Sequence, residues 1–207
     1  MLNVGIIIGS TRPNRVGESV GRWVFDNASK RDDAHFEVID LKEYNLPLLD
    51  EPAPAAMVHP TAYTKEHTRR WSQKISSMDA FIFVTPEYNH GTSGALKNAL
   101  DFLYQEWNNK AAGFVAYGSA GGTRAVESLR TTMGELQVAT IRTQLAFSLS
   151  SDFENYTQFK PAPFHLKLLD SMIDQLLSWG TAMQDVRQGG MHSLPPETKN
   201  SSGAAAH

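Results

Sequence analysis

The stretch TPEYNHGTSGALKNALDF, residues 85–102, decides how the rest of the chain is read. It follows the apolar run AFIFV at 80–84, short and rich in Phe, Ile and Val, which reads as a buried strand. Pro86 stops that strand, because proline has no N–H to give to a ladder, and Gly91 and Gly94 bracket a turn. Ser93 stands where a helix N-cap belongs, and Leu96, Ala99, Leu100 and Leu103 then recur at helical spacing. Strand, compact loop and helix form the ligand-carrying unit of open α/β sheets, in which ligands lie outside the carboxyl ends of the strands. This loop offers a carboxylate (Glu87), a phenol (Tyr88), an amide (Asn89) and an imidazole (His90).

The same unit recurs on either side. Upstream, the apolar strand 2–8 runs into GSTRPNRVG at 9–17, and Val16, Val20, Trp23 or Val24, and Ala28 make a helical stripe. A second strand is expected at 36–41, a turn at Pro47, an irregular segment around 51–54 and a polar helix at 61–77. Downstream, a strand at 113–117 ends in GSAGGT at 118–123. A helix over 124–136 follows, with Val126, Leu129, Met133 and Leu136 on one face. A fifth strand is expected at 144–149. The final helix, 164–187, is expected to turn Leu166, Leu169, Ile173, Leu176 or Leu177, and Met183 inward.

Strands alternating with helices give an α/β fold with a doubly wound parallel sheet, helices on both faces and the five-strand order 2-1-3-4-5. That order sets strands one and three side by side where the winding reverses, so the loops at 9–17, 85–94 and 118–123 converge on one edge. A single domain is expected over 1–188, followed by a polar tail at 189–207.

Composition narrows the function. A net charge of −3 gives no general attraction to nucleic acid or to an anionic membrane. The absence of cysteine rules out thiolate chemistry and Cys-ligated metals. The histidines show no metal-ligand spacing, so no metal is expected, and no apolar run approaches a membrane span. The cytoplasm is the default compartment.

Each loop carries two readings. Glycine, hydroxyls, two arginines and a helix N-terminus in the first loop suit a phosphate, or form a tight connection with surface arginines. There is neither a Gly-Lys-Ser/Thr nor a G-x-G-x-x-G, so Asp40 as a ribose-binding acid of a dinucleotide site is a distant second. Of the two arginines, Arg15 is expected nearer the exposed side of the turn. The second loop lines the edge of a flat heterocycle, or Glu87 and Asn89 satisfy their own turn while His90 is merely exposed. The third allows close backbone approach to a planar ligand, or is a helix start capped by Ser119 or Thr123. No nucleophile–base–acid set emerges and no catalytic residue is assigned, which leaves the chemistry to a bound cofactor.

GSTRPNRVGESV, TPEYNHGTSGALKNALDFL and YGSAGGTRAVESLR, in that order, resemble the NAD(P)H-dependent FMN reductase family of flavodoxin-like flavoproteins, and DLKEYNLPLL resembles the family's segment after strand two. The resemblance spans about residues 3–188. It implies a flavodoxin-like fold and an oxidoreductase that passes electrons from NADPH or NADH through FMN to a small acceptor such as a quinone, azo dye, chromate or free flavin. By that resemblance Ser10, Arg12, Arg15 and Val16 surround the FMN phosphate, and Pro86, Glu87, Tyr88 and Asn89 flank the isoalloxazine. Gly118, Ser119, Gly121 and Gly122 cover its pyrimidine end. Many members carry a second Ser and an Asn where this chain has Gly17, Glu18 and Ser19. A ping-pong cycle at one site is expected. So is a homodimer, for which Phe102, Tyr104 and Trp107 near the proposed site are the only hint in the residues. The alternatives are a flavodoxin-like electron carrier or redox sensor, which the weak net charge does not favour, and a nucleotide-binding regulatory module without flavin.

Overall fold

The computed structural model describes residues 1–189, so the tail expected at 189–207 lies outside the described residues but for its first. Five parallel strands form one sheet in the order β2-β1-β3-β4-β5. These are β1 (Leu2–Ile8), β2 (Ala34–Asp40), β3 (Ala80–Pro86), β4 (Lys110–Gly118) and β5 (Val138–Ser148). Every residue of β3 and β4 is buried, as the apolar and small-residue runs that follow Ala80 and Lys110 require of strands covered on both faces. The outer strands alternate: β2 exposes His35, Glu37 and Val38, and β5 exposes Arg142.

Two hydrophobic cores flank this sheet. On one face α3 (Glu66–Ser76), α4 (Gly94–Asp101) and α5 (Thr123–Glu135) cover a core built on Trp71, Phe81, Phe83, Trp107 and Phe114. On the other, α1 (Gly17–Ala28) and α6 (Phe164–Arg187) cover Ile6, Ile82, Val115, Leu145 and Phe147. Burying each such side chain is worth roughly 1.5–3 kcal/mol, so the sheet edge is a rigid base for its loops. Of the three aromatics that hinted at a subunit contact, Phe102 and Trp107 belong to the first core and are fully buried, while Tyr104 packs half-buried against it.

Several boundaries differ from the sequence reading. β4 and β5 start earlier than residues 113 and 144, because Lys110-Ala111-Ala112 pairs with Val138-Ala139-Thr140 ahead of a register shift near Gly113. β2 ends at Asp40, and Leu41–Tyr44 forms the short helix α2, capped by the Asp40 carboxylate. α3 starts at Glu66 instead of 61, because Glu51 takes hydrogen bonds from Thr64 Oγ1 (3.1 Å) and Lys65 N (3.2 Å) and holds that segment extended. Pro60–Ala62 keeps only a single 3₁₀ turn. In α6 the inward stripe is Leu169, Met172, Ile173 and Leu176, while Leu166 is 43% exposed. A hairpin of β6 (Phe153–Glu154) and β7 (Gln158–Phe159) follows β5, turning through Asn155 and Tyr156. Its Phe159 packs edge-on against Trp23 and Phe147.

The register places the carboxyl ends in a row. Asp40 lies beside Ile8, Ile8 beside Val84, Pro86 beside Tyr117, and Gly118 beside Ser148.

Candidate functional site

The first loop joins β1 to α1 and carries a helix end with no capping side chain. Val16, half-buried, stands at the N-cap in a helical conformation that offers no acceptor to the first turn. Uncapped amides at the positive end of a helix dipole form a site for an anion. Ser10 is buried, with its Oγ 3.0 Å from Tyr88 Oη, and Arg12 is exposed with its guanidinium 6.0 Å from the Tyr88 ring centre. Arg15, read as the more exposed of the two, is the buried one. Its side chain is 5% accessible, donates from Nη1 to Ser10 O at 2.8 Å and pairs through Nη2 with Asp40. Arg15 Nε is left buried without a partner. Asp40 is therefore committed to Arg15 and to Lys42 N (3.0 Å), and is not a free acid at the edge.

The second loop folds tightly. Tyr88 and Gly91 exchange backbone hydrogen bonds of 2.9 and 3.1 Å around Asn89 (φ 50°) and His90 (φ 74°), so the left-handed conformations fall on these two residues and not on the flanking glycines. Asn89 tolerates that region well, and His90 is exposed at the tip with no ring hydrogen bond among the described residues. Ser93 caps α4 by accepting from Leu96 N at 3.1 Å, and its hydroxyl donates to Gly9 O, which ties the second loop to the first.

The third loop is joined to the second by Glu87. Glu87 N donates to Tyr117 O at 3.0 Å, and its carboxylate takes Arg124 N (3.0 Å), the Arg124 guanidinium and, more distantly, Ala125 N (3.4 Å). Glu87 thus caps α5 from another loop, in place of the Ser119 or Thr123 cap that the sequence suggests. Burial opposes its charge, yet the Arg124 guanidinium and the helix amides prevail and hold its carboxyl below the ordinary range. Gly122 enters α5 with φ 72°, where a Cβ would lie 2.7 Å from Ala116 Cβ and Tyr117 N, so only glycine fits. Gly118 and Gly121 are buried beside it, and Ser119 is exposed at the tip.

All three loops therefore meet. Ser10, Arg12, Arg15 and Val16 gather at the start of α1; Pro86, Glu87, Tyr88 and Asn89 lie across the gap; Gly118, Ser119, Gly121 and Gly122 flank Glu87. An open crevice beside Thr11, lined by Leu41, Asn45, Ala95 and Asn98, shares only Thr11 with them. Sequence reasoning passed over Tyr117 and Arg124. Tyr117 looked like the last residue of an apolar strand and Arg124 like an ordinary first turn. Their partners are distant in the chain, and the only local signal was an aromatic residue directly before the glycine-rich loop.

Residues 2–152 match the family described as NADPH-dependent FMN reductase. An NAD(P)H-dependent FMN reductase of a Nectria species is 42% identical over 159 residues, covering 73% of this chain and 79% of that one. A quinone reductase of Pseudomonas putida is 28% identical over 189 residues, covering 86% of this chain and 94% of that one. Among solved structures, the flavoenzyme NAD(P)H:(acceptor) oxidoreductase FerB of Paracoccus denitrificans superposes with a TM-score of 0.68, covering 88% of this chain and 99% of that one. Its 20% identity makes that a likeness of fold.

Proposed function

The chain belongs to the NADPH-dependent FMN reductase family, and on that footing we propose that its three-loop edge holds FMN and serves NAD(P)H and a quinone-type acceptor in turn. It is an oxidoreductase. The observation that carries the reading is the uncapped start of α1 directly after Arg15, whose buried Nε has no partner among the described residues, at the carboxyl edge of the paired strands β1 and β3. That donor set fits a phosphate: helix amides, a buried guanidinium and the Ser10 hydroxyl, with Arg12 outside.

Bound FMN supplies the hydride and electron chemistry. The chain's part is placement. Ser10, Arg12, Arg15 and Val16 would hold the phosphate end; Pro86, Tyr88 and Asn89 would border the ring; Gly118, Ser119, Gly121 and Gly122 would leave room at its far end. Glu87 has its carboxylate committed to α5, so it acts by fixing the gap between the second and third loops. An open crevice at a sheet edge has one approach to the ring, which is why nicotinamide and acceptor should alternate. The family resemblance extends the proposal to a homodimer in the cytoplasm.

Initial rates of the FMN-loaded protein, with NADPH and a soluble quinone varied together, test the reading. Parallel reciprocal lines are expected. Intersecting lines, or no NADPH oxidation by a protein shown to hold FMN, overturn it. Light scattering that returned the single-chain mass of 22.9 kDa would remove the dimer.

A further inference from the structure

Among the described residues, four buried side-chain polar atoms lack a hydrogen-bond partner: Arg15 Nε, Thr68 Oγ1, Tyr117 Oη and His165 Nδ1. Two of the four, Arg15 Nε and Tyr117 Oη, belong to residues beside the start of α1: Arg15 directly precedes its N-cap Val16, and the Tyr117 hydroxyl lies against Gly17. Tyr117 ends β4, is 5% exposed and packs its ring against Phe153. Its hydroxyl reaches Gly17, the first residue of α1, on the side where a Cβ would stand, and any side chain there would collide with it. The phenol is therefore driven into the helix start, in space that only glycine leaves open. A buried hydroxyl without a partner costs stability, so its persistence calls for an explanation.

We infer that Tyr117 is the residue by which this site distinguishes a phosphorylated flavin from its unphosphorylated form, its hydroxyl donating a hydrogen bond to a phosphate oxygen at the start of α1. The inference deepens the reading above and rests on it. The group is suited to that one task. Burial, then the neighbouring Tyr88 phenol, raises the Tyr117 pKa; the nearby Ser10 hydroxyl, whose geometric partner is Tyr88 Oη at 3.0 Å, and Arg12 and Arg15 oppose this without reversing it. The hydroxyl stays protonated and offers a donor. Riboflavin, which carries a hydroxyl at that position, gives it only a neutral acceptor. A phosphate gives it a charged one, and a bond to a charged partner is the stronger by roughly tenfold or more in affinity.

The test is a pair of fluorescence titrations, FMN and riboflavin, on native apoprotein and on Tyr117→Phe, with thermal unfolding of both apoproteins. The variant should bind FMN roughly tenfold more weakly and riboflavin within about twofold of native, and its empty form should unfold no lower than the native one, since the lost hydroxyl had no partner. An unchanged FMN preference overturns the inference, as does equal weakening of both ligands. A variant that fails to fold overturns it too, because the hydroxyl would then be engaged in the empty protein. Equal affinity of the native protein for FMN and riboflavin is a different failure, and it sinks the phosphate reading itself.

Discussion

The two edges of the sheet treat buried polar groups in opposite ways. At the amino edge the buried groups around Lys110, Glu106 and Asp79 are matched, and the unpartnered Thr68 Oγ1 lies one turn of α3 from Ser72. Lys110 Nζ donates to Ile75 O at 2.7 Å, and Glu106 accepts from Ser72 Oγ at 2.5 Å and Tyr63 Oη at 3.4 Å. Asp79 accepts from Asn3 N at 2.9 Å and from Arg187 at 2.6 Å, and Arg187 also donates to Asn109 O at 2.6 Å. At the carboxyl edge Tyr117 Oη and Arg15 Nε are left over, and the start of α1 is uncapped. Both edges rest on the same cores, so packing does not explain the contrast. A closed network serves the fold, whereas leftover donors at one point are groups held ready for a ligand.

The amino edge should therefore break as stability alone, and Lys110 gives the largest effect. Burial, then the Arg187 charge, lowers its pKa from 10.5 to about 7 against the pull of Asp79 and Glu106. The folded chain then holds fewer protons than the unfolded chain between about pH 7 and 10.5. Stability from this group rises across that window with a slope approaching about 1.4 kcal/mol per pH unit, and below it the burial penalty is present in full. Lys110→Met should flatten the slope and stabilise the protein at pH 6, as read by urea unfolding at several pH values. A native and a variant slope that coincide would show that Lys110 is not the titrating group. Next comes Glu106→Ala, which strands the Ser72 and Tyr63 hydroxyls and leaves a cavity. It should cost about 3 kcal/mol of unfolding free energy while FMN affinity stays at the native value. A comparable loss of FMN affinity would show that the two edges are coupled.

What the sequence made legible follows the same division. Strands β1 and β3 and helix α6 could be read from apolar runs and helical spacing, and the observed bounds of β1 and α6 coincide with the expected ones. The first three residues of β4 could not, because Lys110-Ala111-Ala112 carries no local strand signature and becomes strand by pairing with Val138-Ala139-Thr140. The β6–β7 hairpin was hidden for a like reason: its apolar partner is Trp23, more than a hundred residues away. All three loops of the site were visible as glycine-rich breaks after strands. Their wiring was not. Glu87 looked like a ligand-facing carboxylate until Arg124, 37 residues on, was found holding it. Asp40 looked like a candidate ribose acid until Arg15 closed on it.

The carboxyl edge should break as affinity, and its two arginines sharpen the contrast. Arg15→Lys keeps the positive charge and loses the fork that spans Ser10 O and Asp40 while leaving Nε to the pocket. FMN binding should weaken by roughly tenfold to a hundredfold, the range of a hydrogen bond between charged groups, with riboflavin binding much less affected. Apoprotein stability should fall only modestly, because lysine can still reach Asp40. Isothermal titration with both ligands separates the outcomes, and equal losses for FMN and riboflavin would mean that Arg15 only shapes the loop.

Arg12→Ala should give the smallest effect, the reverse of the order that the linear sequence suggested. Arg12 is exposed, makes no ion pair among the described residues, and has its guanidinium carbon 6.0 Å from the Tyr88 ring centre. An exposed ion pair is worth up to about 1 kcal/mol, so losing Arg12 beside the phosphate should weaken FMN by at most roughly fivefold. Salt provides an independent check. An exposed charge is screened within about a Debye length, near 8 Å at physiological ionic strength, whereas the buried Arg15 is screened much less. Raising the salt should therefore shrink the difference between native protein and Arg12→Ala while preserving the one between native protein and Arg15→Lys. If Arg12→Ala proved the more damaging substitution, or if both differences vanished together in salt, Arg15 would be a scaffold residue and the anion would be held from the outer side of the loop.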